Sequence, residues 1–242
     1  MRTRTTKSKN APAAKRKPAV SREYPRVARV RGAAYQDDGL RRALVDAAVE
    51  LAREGDLDKV TVREAGRRAG LPASVPARIF PSRAAMMGAV AAEALREFQA
   101  QMQSALAAVG SDDPVRQLRA AARAFITWSL RNPAHFRILS ARDLISFTQV
   151  PELGDEVREI AEGTTALAAD AQERGQLPRC DTHLLVLASR ALVYGLARMK
   201  LDGQLPQWGV DEADAEPALL AAFDLYVDLL VQAARPVRPP GD

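Results

Sequence analysis

Five arginines stand close together in the chain, Arg63, Arg67, Arg68, Arg78 and Arg83, and eleven more Lys/Arg lie in residues 1–36 against one acid, Glu23. Cationic groups massed in this way neutralise the phosphates of a polyanion and release its counterions. The charge is polarised along the chain: residues 1–36 carry +10, residues 39–83 carry +3 and residues 84–242 carry −6. A polyanion-binding end and a body with a different task are implied. Other chemistry finds little support. Cys180-Asp181-Thr182-His183 places two metal-ligand types at a C-x-x-H spacing, but structural zinc needs four ligands and no second pair accompanies them, so the segment reads as a helix cap. With two histidines, one cysteine, no nucleophile elbow, no glycine-rich phosphate loop and no carboxylate pair in an acid–base context, neither catalysis nor a metal or cofactor is expected. The single cysteine excludes an internal disulfide framework. No signal-peptide pattern and no stretch near about 18 apolar residues is apparent, so a soluble, cytoplasmic chain without membrane contact is expected.

Helices must position these groups, because nothing alternates with period 2 for long enough to argue a strand. The expected class is all-α, with about nine helices. Residues 1–36 mix Lys, Arg, Ala, Thr, Ser and Pro without apolar periodicity and read as a disordered arm. The arm is either a solubilising tail or a segment that follows phosphates or enters a minor groove. From Gly39 onward Leu40, Leu44, Ala47, Ala48 and Leu51 form an amphipathic stripe, which Gly55 stops. Thr61-Val62-Arg63-Glu64 has capping-box spacing and opens a second helix ending at Gly70. A third runs from about Ala73 to Ile79, and Ser82 caps a fourth that reaches about Val109. Asp113-Pro114 and Asn132-Pro133 open the next two, with Val115, Leu118, Ala122, Phe125 and Ser129 sharing a face of the fifth. Another helix spans Pro151 to Gly175, Asp181 caps one reaching Leu201, and the last covers Glu212 to Ala234. The organisation read from this is an arm (1–36), a head (37–84), a larger helical domain (85–236) and a disordered tail (237–242).

Three short helices with a tight Gly70-Leu71 turn between the second and third form a helix-turn-helix, whose third helix enters the major groove of DNA. Gly70 supplies the residue that tolerates positive φ, and Ala65, Gly66 and Ala69 are small enough for a close helix crossing. The runs Leu40–Ala48, Thr61-Val62-Arg63-Glu64, Arg67-Arg68-Ala69-Gly70 and Phe80-Pro81-Ser82-Arg83 resemble the DNA-binding head of the tetracycline-repressor (TetR) family. More weakly, Asn132–Arg137, Ala191–Ala197 and Leu201-Asp202-Gly203 are similar to a class of TetR ligand domain with a Trp-X-X-X-His-Gly-like motif. Arg190 and Tyr194 stand here where that class prefers Trp and His.

The resemblance implies a transcriptional regulator, a repressor by sign, held in a bacterial nucleoid-associated cytoplasm. Thr61, Arg63, Ala73, Ser74, Val75, Ala77, Arg78 and Arg83 would meet DNA, with Arg83 at the family's phosphate-anchoring Lys. Pro72, Ala77 and Ile79 depart from the family's polar cap, Tyr and His, and the lost Tyr removes a phosphate contact. Phe125, Trp128, Phe136, Phe147 and Tyr194 are either core or the wall of a cavity for an apolar or amphipathic effector, with Arg198 as its polar group. His135 is either a packed, satisfied group or a partner for ligand. Leu219, Phe223, Tyr226, Val227 and Leu230 form an apolar stripe suited to a homodimer of the last two helices, and two heads would then read a pseudo-palindromic operator. The alternative is a helical interaction protein of this architecture that has lost operator binding.

Overall fold

The computed structural model describes residues 33–141, 145 and 151–235, and among them every regular element is helical. The helices are α1 (Ala33–Arg53), α2 (Val62–Arg68), α3 (Val75–Ile79), α4 (Arg83–Val109), α5 (Pro114–Arg131), α6 (Pro133–Ser140), α7 (Pro151–Glu173), α8 (Thr182–Leu201) and α9 (Ala215–Ala234). Residues 1–32 of the arm, Phe147 and the tail at 237–242 lie outside the described residues.

Four caps sit where the sequence places them. Thr61 Oγ1 accepts the Glu64 N–H at 3.1 Å, Ser82 Oγ that of Ala85 at 3.0 Å, Asp113 that of Arg116 at 3.1 Å and Asp181 that of Leu184 at 3.0 Å. Each satisfies one N–H that the first helical turn leaves without a partner. Three local expectations need correction. The capping box at Thr61 is half made, because the Glu64 carboxylate turns away to take both Nε and Nη2 of Arg67. Asn132 does not cap α6: its amide donates back to the Trp128 carbonyl at 3.1 Å and closes α5. Helix α1 begins at Ala33, inside the span assigned to the arm, and Gly39 is an exposed mid-helix residue. A lone glycine weakens a helix by about 1 kcal/mol relative to Ala, too little to stop one with good neighbours on both sides.

Leu44, Ala47, Ala48 and Leu51 of α1 are buried with Val60, Ala65, Phe80, Met86 and Met87, which makes the core of the head. Helix α4 is common to both parts. Its first turns hold Met86, Met87 and Val90 in that core, and its later turns carry Phe98 and Met102 into the body. In the body α5 is central and touches α4, α7, α8 and α9, while α6 packs between α4 and the head helix α1.

Over Glu212–Ala234 the chain is long and apolar enough to cross a membrane, with a mean hydropathy of 1.4, which the reading of short apolar runs overlooked. In this fold the segment is a wall of the body. Leu219, Phe223 and Val227 are buried, and Asp224 and Asp228 pair with Arg119 at 3.0 and 2.6 Å. Burial works against the charge on Arg119, but Asp228 and Asp224 more than offset it and raise its pKa.

Candidate DNA-binding face and ligand cavity

Helices α2 and α3 meet across the Gly70 turn. Gly70 has φ +68°, and the Leu71 N–H returns to the Gly66 carbonyl at 2.9 Å, which ends α2 sharply. The crossing is tight at Gly66, where an added Cβ would sit 2.1 Å from Pro76 Cγ. Pro76 is thereby buried against α2 and the opposite side of α3 faces outward: Ala73, Ser74, Ala77 and Arg78 are exposed and Val75 is half-buried. Thr61 and Arg63 are exposed beside them. The segment is a bent pair of helices with its second member presented to solvent, the arrangement that docking in a major groove requires. Ser74 occupies the N-cap of α3 without a side-chain cap bond, and Pro76 follows within the first turn, where its missing N–H costs nothing.

The cations of the head divide into two sets. Arg63 is exposed, and no hydrogen bond or ion pair engages it among the described residues. Arg68 pairs with Glu54, just past the end of α1, at 2.5 Å, and Arg78 pairs with Asp37 of α1 at 3.1 Å, both of the latter about half exposed. Surface pairs of this kind are weak and exchange readily for phosphate. Arg83, which the resemblance makes a phosphate anchor, is engaged within the head. Its Nε donates to the Val60 carbonyl at 2.8 Å and its Nη2 to the Leu57 carbonyl at 2.5 Å, so it ties the start of α4 to the turn preceding α2. The Leu57 carbonyl already accepts the Val60 N–H at 3.0 Å and takes the arginine as a second donor, a tertiary contact of which the sequence gives no sign. Arg41, not singled out from sequence, lies over the Phe80 ring at 4.7 Å.

The body encloses a cavity of about 570 Å³ between α4, α5, α6, α7, α8 and α9. Phe125, Trp128, Phe136 and Tyr194 line it, as do Leu118 and Ala122 of the α5 face read from sequence. Phe98, Phe125, Phe136 and Tyr194 form a chain of ring contacts with centroids 5.4 to 5.9 Å apart. Arg198 does not belong to the lining. Its Nε donates to Asp202 at 2.8 Å on the exterior, and the charged group at the cavity is Arg190, lying over the Phe125 ring at 4.2 Å and the Tyr194 ring at 5.7 Å. From Tyr194, one turn in either direction shares a face, and helical geometry alone does not choose between positions 190 and 198. Phe98 was also missed, although Leu95, Phe98 and Met102 repeat at helical spacing in α4.

His135 stands behind this wall, outside the lining. It is buried, its Nδ1 is 3.9 Å from Glu97, and burial pushes its pKa below the ordinary value, with Glu97 and Glu93 opposing and Arg53 adding to the drop. The Cys180–His183 segment is held by Gln172, whose amide donates to the Pro178 and Cys180 carbonyls at 2.8 and 3.1 Å and whose carbonyl accepts from Thr182 at 2.5 Å.

The α9 stripe faces inward. Leu219, Phe223 and Val227 are at most 5% exposed, and Phe223, Tyr226, Val227 and Leu230 line the cavity. The stripe is therefore cavity wall and core, not the dimer contact it was read as. Among the described residues, the exposed large apolar side chains are Trp208, between α8 and α9, at 73%, and Leu184 and Leu187 of α8 with Leu225 and Leu229 of α9, at 55 to 63% exposure.

Residues 118–236 match the family described as Tetracyclin repressor-like, C-terminal domain. No curated protein matches the chain. Among solved structures, a protein from Rhodococcus sp. RHA1 is 22% identical with a TM-score of 0.64, covering 80% of this chain and 96% of that one. The TetR family transcriptional regulator PfmR from Thermus thermophilus is 19% identical with a TM-score of 0.61, covering 80% and 99%. RolR, in complex with resorcinol, is 21% identical with a TM-score of 0.52, covering 83% and 92%. These likenesses extend the shared fold from the matched domain back through the helix-turn-helix. Residues 118–236 thus carry a tetracyclin repressor-like C-terminal domain, within a fold shared with solved structures of TetR-family regulators.

Proposed function

We propose that the protein is a homodimeric, cytoplasmic repressor that binds a pseudo-palindromic operator through α3 and releases it when a small apolar or amphipathic molecule fills the cavity. The observation that carries this reading is an outward-facing α3 in a head that shares α4 with a hollow body. DNA contact is assigned to Thr61, Arg63, Ala73, Ser74, Val75, Ala77 and Arg78, with Arg83 holding the head in shape. Two routes lead from cavity to head. Helix α4 carries Phe98 and Met102 of the lining at one end and starts beside α3 at the other; α6 lines the cavity with Phe136 and packs on α1. A ligand acts only through the difference in its affinity for the two head placements. Dimerisation is assigned to the exposed leucines of α8 and α9, setting two heads about 34 Å apart on successive major grooves. No enzymatic step is assigned.

The test is genomic selection of DNA fragments bound by the full chain, followed by a footprint on the recovered site. A protected, two-fold symmetric site that outcompetes random duplex at moderate ionic strength is the expected result. Equal binding to all duplexes would favour an interaction protein that kept the architecture and lost the operator.

A further inference from the structure

Arg78 is the long polar side chain on the outward side of α3. Its neighbours there, Ala73, Ser74 and Ala77, are small and exposed, and Val75 and Ile79 are half-buried. Small side chains let the helix backbone approach base edges closely, and they leave Arg78 as the one group on that side with two parallel donors to offer. What holds it matters, because an unrestrained arginine gives up rotamer freedom when it binds.

The restraint comes from α1. That helix begins at Ala33, well ahead of Gly39, and the added turns bring Asp37 to α3. Asp37, Arg41, Leu44 and Ala48 recur at i, i+4, i+7 and i+11, so the face that buries Leu44 and Ala48 in the head meets the end of α3 with its outer turns. Arg41 lies over the ring of Phe80, the residue that closes α3, at 4.7 Å. The Asp37 carboxylate faces both terminal nitrogens of Arg78, with Oδ1 3.1 Å from Nη2 and Oδ2 3.4 Å from Nη1. It thus takes the end of the guanidinium fork. The side edge, Nε–H with an outer N–H of a terminal nitrogen, has no hydrogen bond or ion pair among the described residues.

Both partners are about half exposed, so the pair adds little stability and a phosphate displaces it readily. A base edge has no need to displace it, because it uses the side of the fork that Asp37 leaves open. A carboxylate beside a polyanion lowers affinity for every sequence, so its place at α3 points to selectivity rather than grip. Guanine offers O6 and N7 side by side in the major groove, the match to two parallel N–H donors. Resting on the reading of α3 as the operator-binding helix, we infer that Asp37 is a positioning residue for base recognition: it holds Arg78 so that the open edge meets O6 and N7 of one guanine in each half-site.

The test takes the full chain through selection from a random duplex library, then measures every single-base change of the recovered half-site by competition at fixed salt. One guanine is preferred over each other base by about tenfold or more, and Arg78→Gln levels that position alone. Asp37→Asn, which keeps the shape and removes the charge, cuts the same preference by about threefold or more and adds nothing once Arg78→Gln is present. A merely structural acid would weaken all duplexes alike. Without any mutation, replacing that guanine by 7-deazaguanine, which lacks N7, costs the parent about fivefold or more in affinity. The inference is overturned by a half-site without such a guanine, by a 7-deazaguanine site bound as well as the original, or by an Arg78→Gln loss equal on all duplexes, as a phosphate contact would give. It is equally overturned if Asp37→Asn leaves the preference whole or weakens every duplex to the same extent. A parent that prefers no duplex over random competitor is a separate failure, which sinks the operator reading itself and this inference with it.

Discussion

At Gly66 a single missing methyl group sets the geometry of the DNA-binding face. An alanine Cβ there would lie 2.1 Å from Cγ and 3.0 Å from Cβ of Pro76, and a proline ring has no rotamer by which to move aside. Gly66→Ala must therefore push α3 off α2, at a cost of about 1–3 kcal/mol. Gly39 is the internal contrast, since an added Cβ there meets nothing within 4 Å and φ is helical. Gly39→Ala should raise stability by about 0.5–1 kcal/mol. Thermal unfolding of the two variants checks both signs, and a neutral Gly66→Ala would show that the crossing has slack. Arg83 gives a second prediction at this scale. Its donors sit on the Leu57 and Val60 carbonyls, so Arg83→Ala should destabilise the head by about 1–2 kcal/mol and weaken all DNA equally. The slope of log affinity against log salt should stay unchanged, because no phosphate contact is lost. A slope shallower by about one unit would restore the phosphate-anchor role that the family resemblance implies.

Helix ends were far more legible than helix faces. A cap is a local event: Ser82, Asp113 and Asp181 announce their helices because an oxygen in the right place satisfies an N–H two or three residues on. A face is decided by what packs on it, and in α9 the pattern is ambiguous because the helix is apolar nearly all round. Its stripe was visible, but the inward direction was not. The same limit hid Arg190, whose place at the cavity depends on α5 presenting Phe125 to it. Element α6 shows how packing changes a titration. His135 is buried between the head and α4, and its pKa is lowered by burial more than Glu97 and Glu93 restore it. The folded chain then binds this proton more weakly than the unfolded chain. Stability is complete above pH 6.5, the ordinary value, and is lost as pH falls from there toward the folded value. Urea midpoints at about pH 7.5 and 5.5, a window above most carboxylate titration, should fall on acidification, and His135→Gln should flatten the difference. An equal drop in the variant would place the sensitivity elsewhere.

For the molecule as a whole, the two faces of α9 answer to different partners. Phe223 and Val227 close the cavity, whereas Leu225 and Leu229 stand 60% and 55% exposed beside Leu184 and Leu187 of α8, each 63% exposed. Four large aliphatic side chains left in water on adjacent helices are costly at about 25 cal/mol per Å² of apolar surface, and a second copy meeting them across a two-fold axis would remove that cost. The inner and outer faces can be separated by mutation. Leu187→Glu combined with Leu229→Glu places charge only where side chains already face solvent, so circular dichroism and the thermal transition of the isolated chain should be preserved while sedimentation shows a monomer. Phe223→Glu, by contrast, buries a carboxylate among aromatic rings and should unfold the body. The monomeric double variant keeps an intact α3, yet a single head engages one half-site without the gain from linkage, so operator affinity should fall about 100-fold or more. If the double variant still sediments as a dimer, the leucines of α8 and α9 are not the contact. If it is a monomer that binds operator as the parent does, the protein reads DNA one half-site at a time and the two-headed mechanism is wrong.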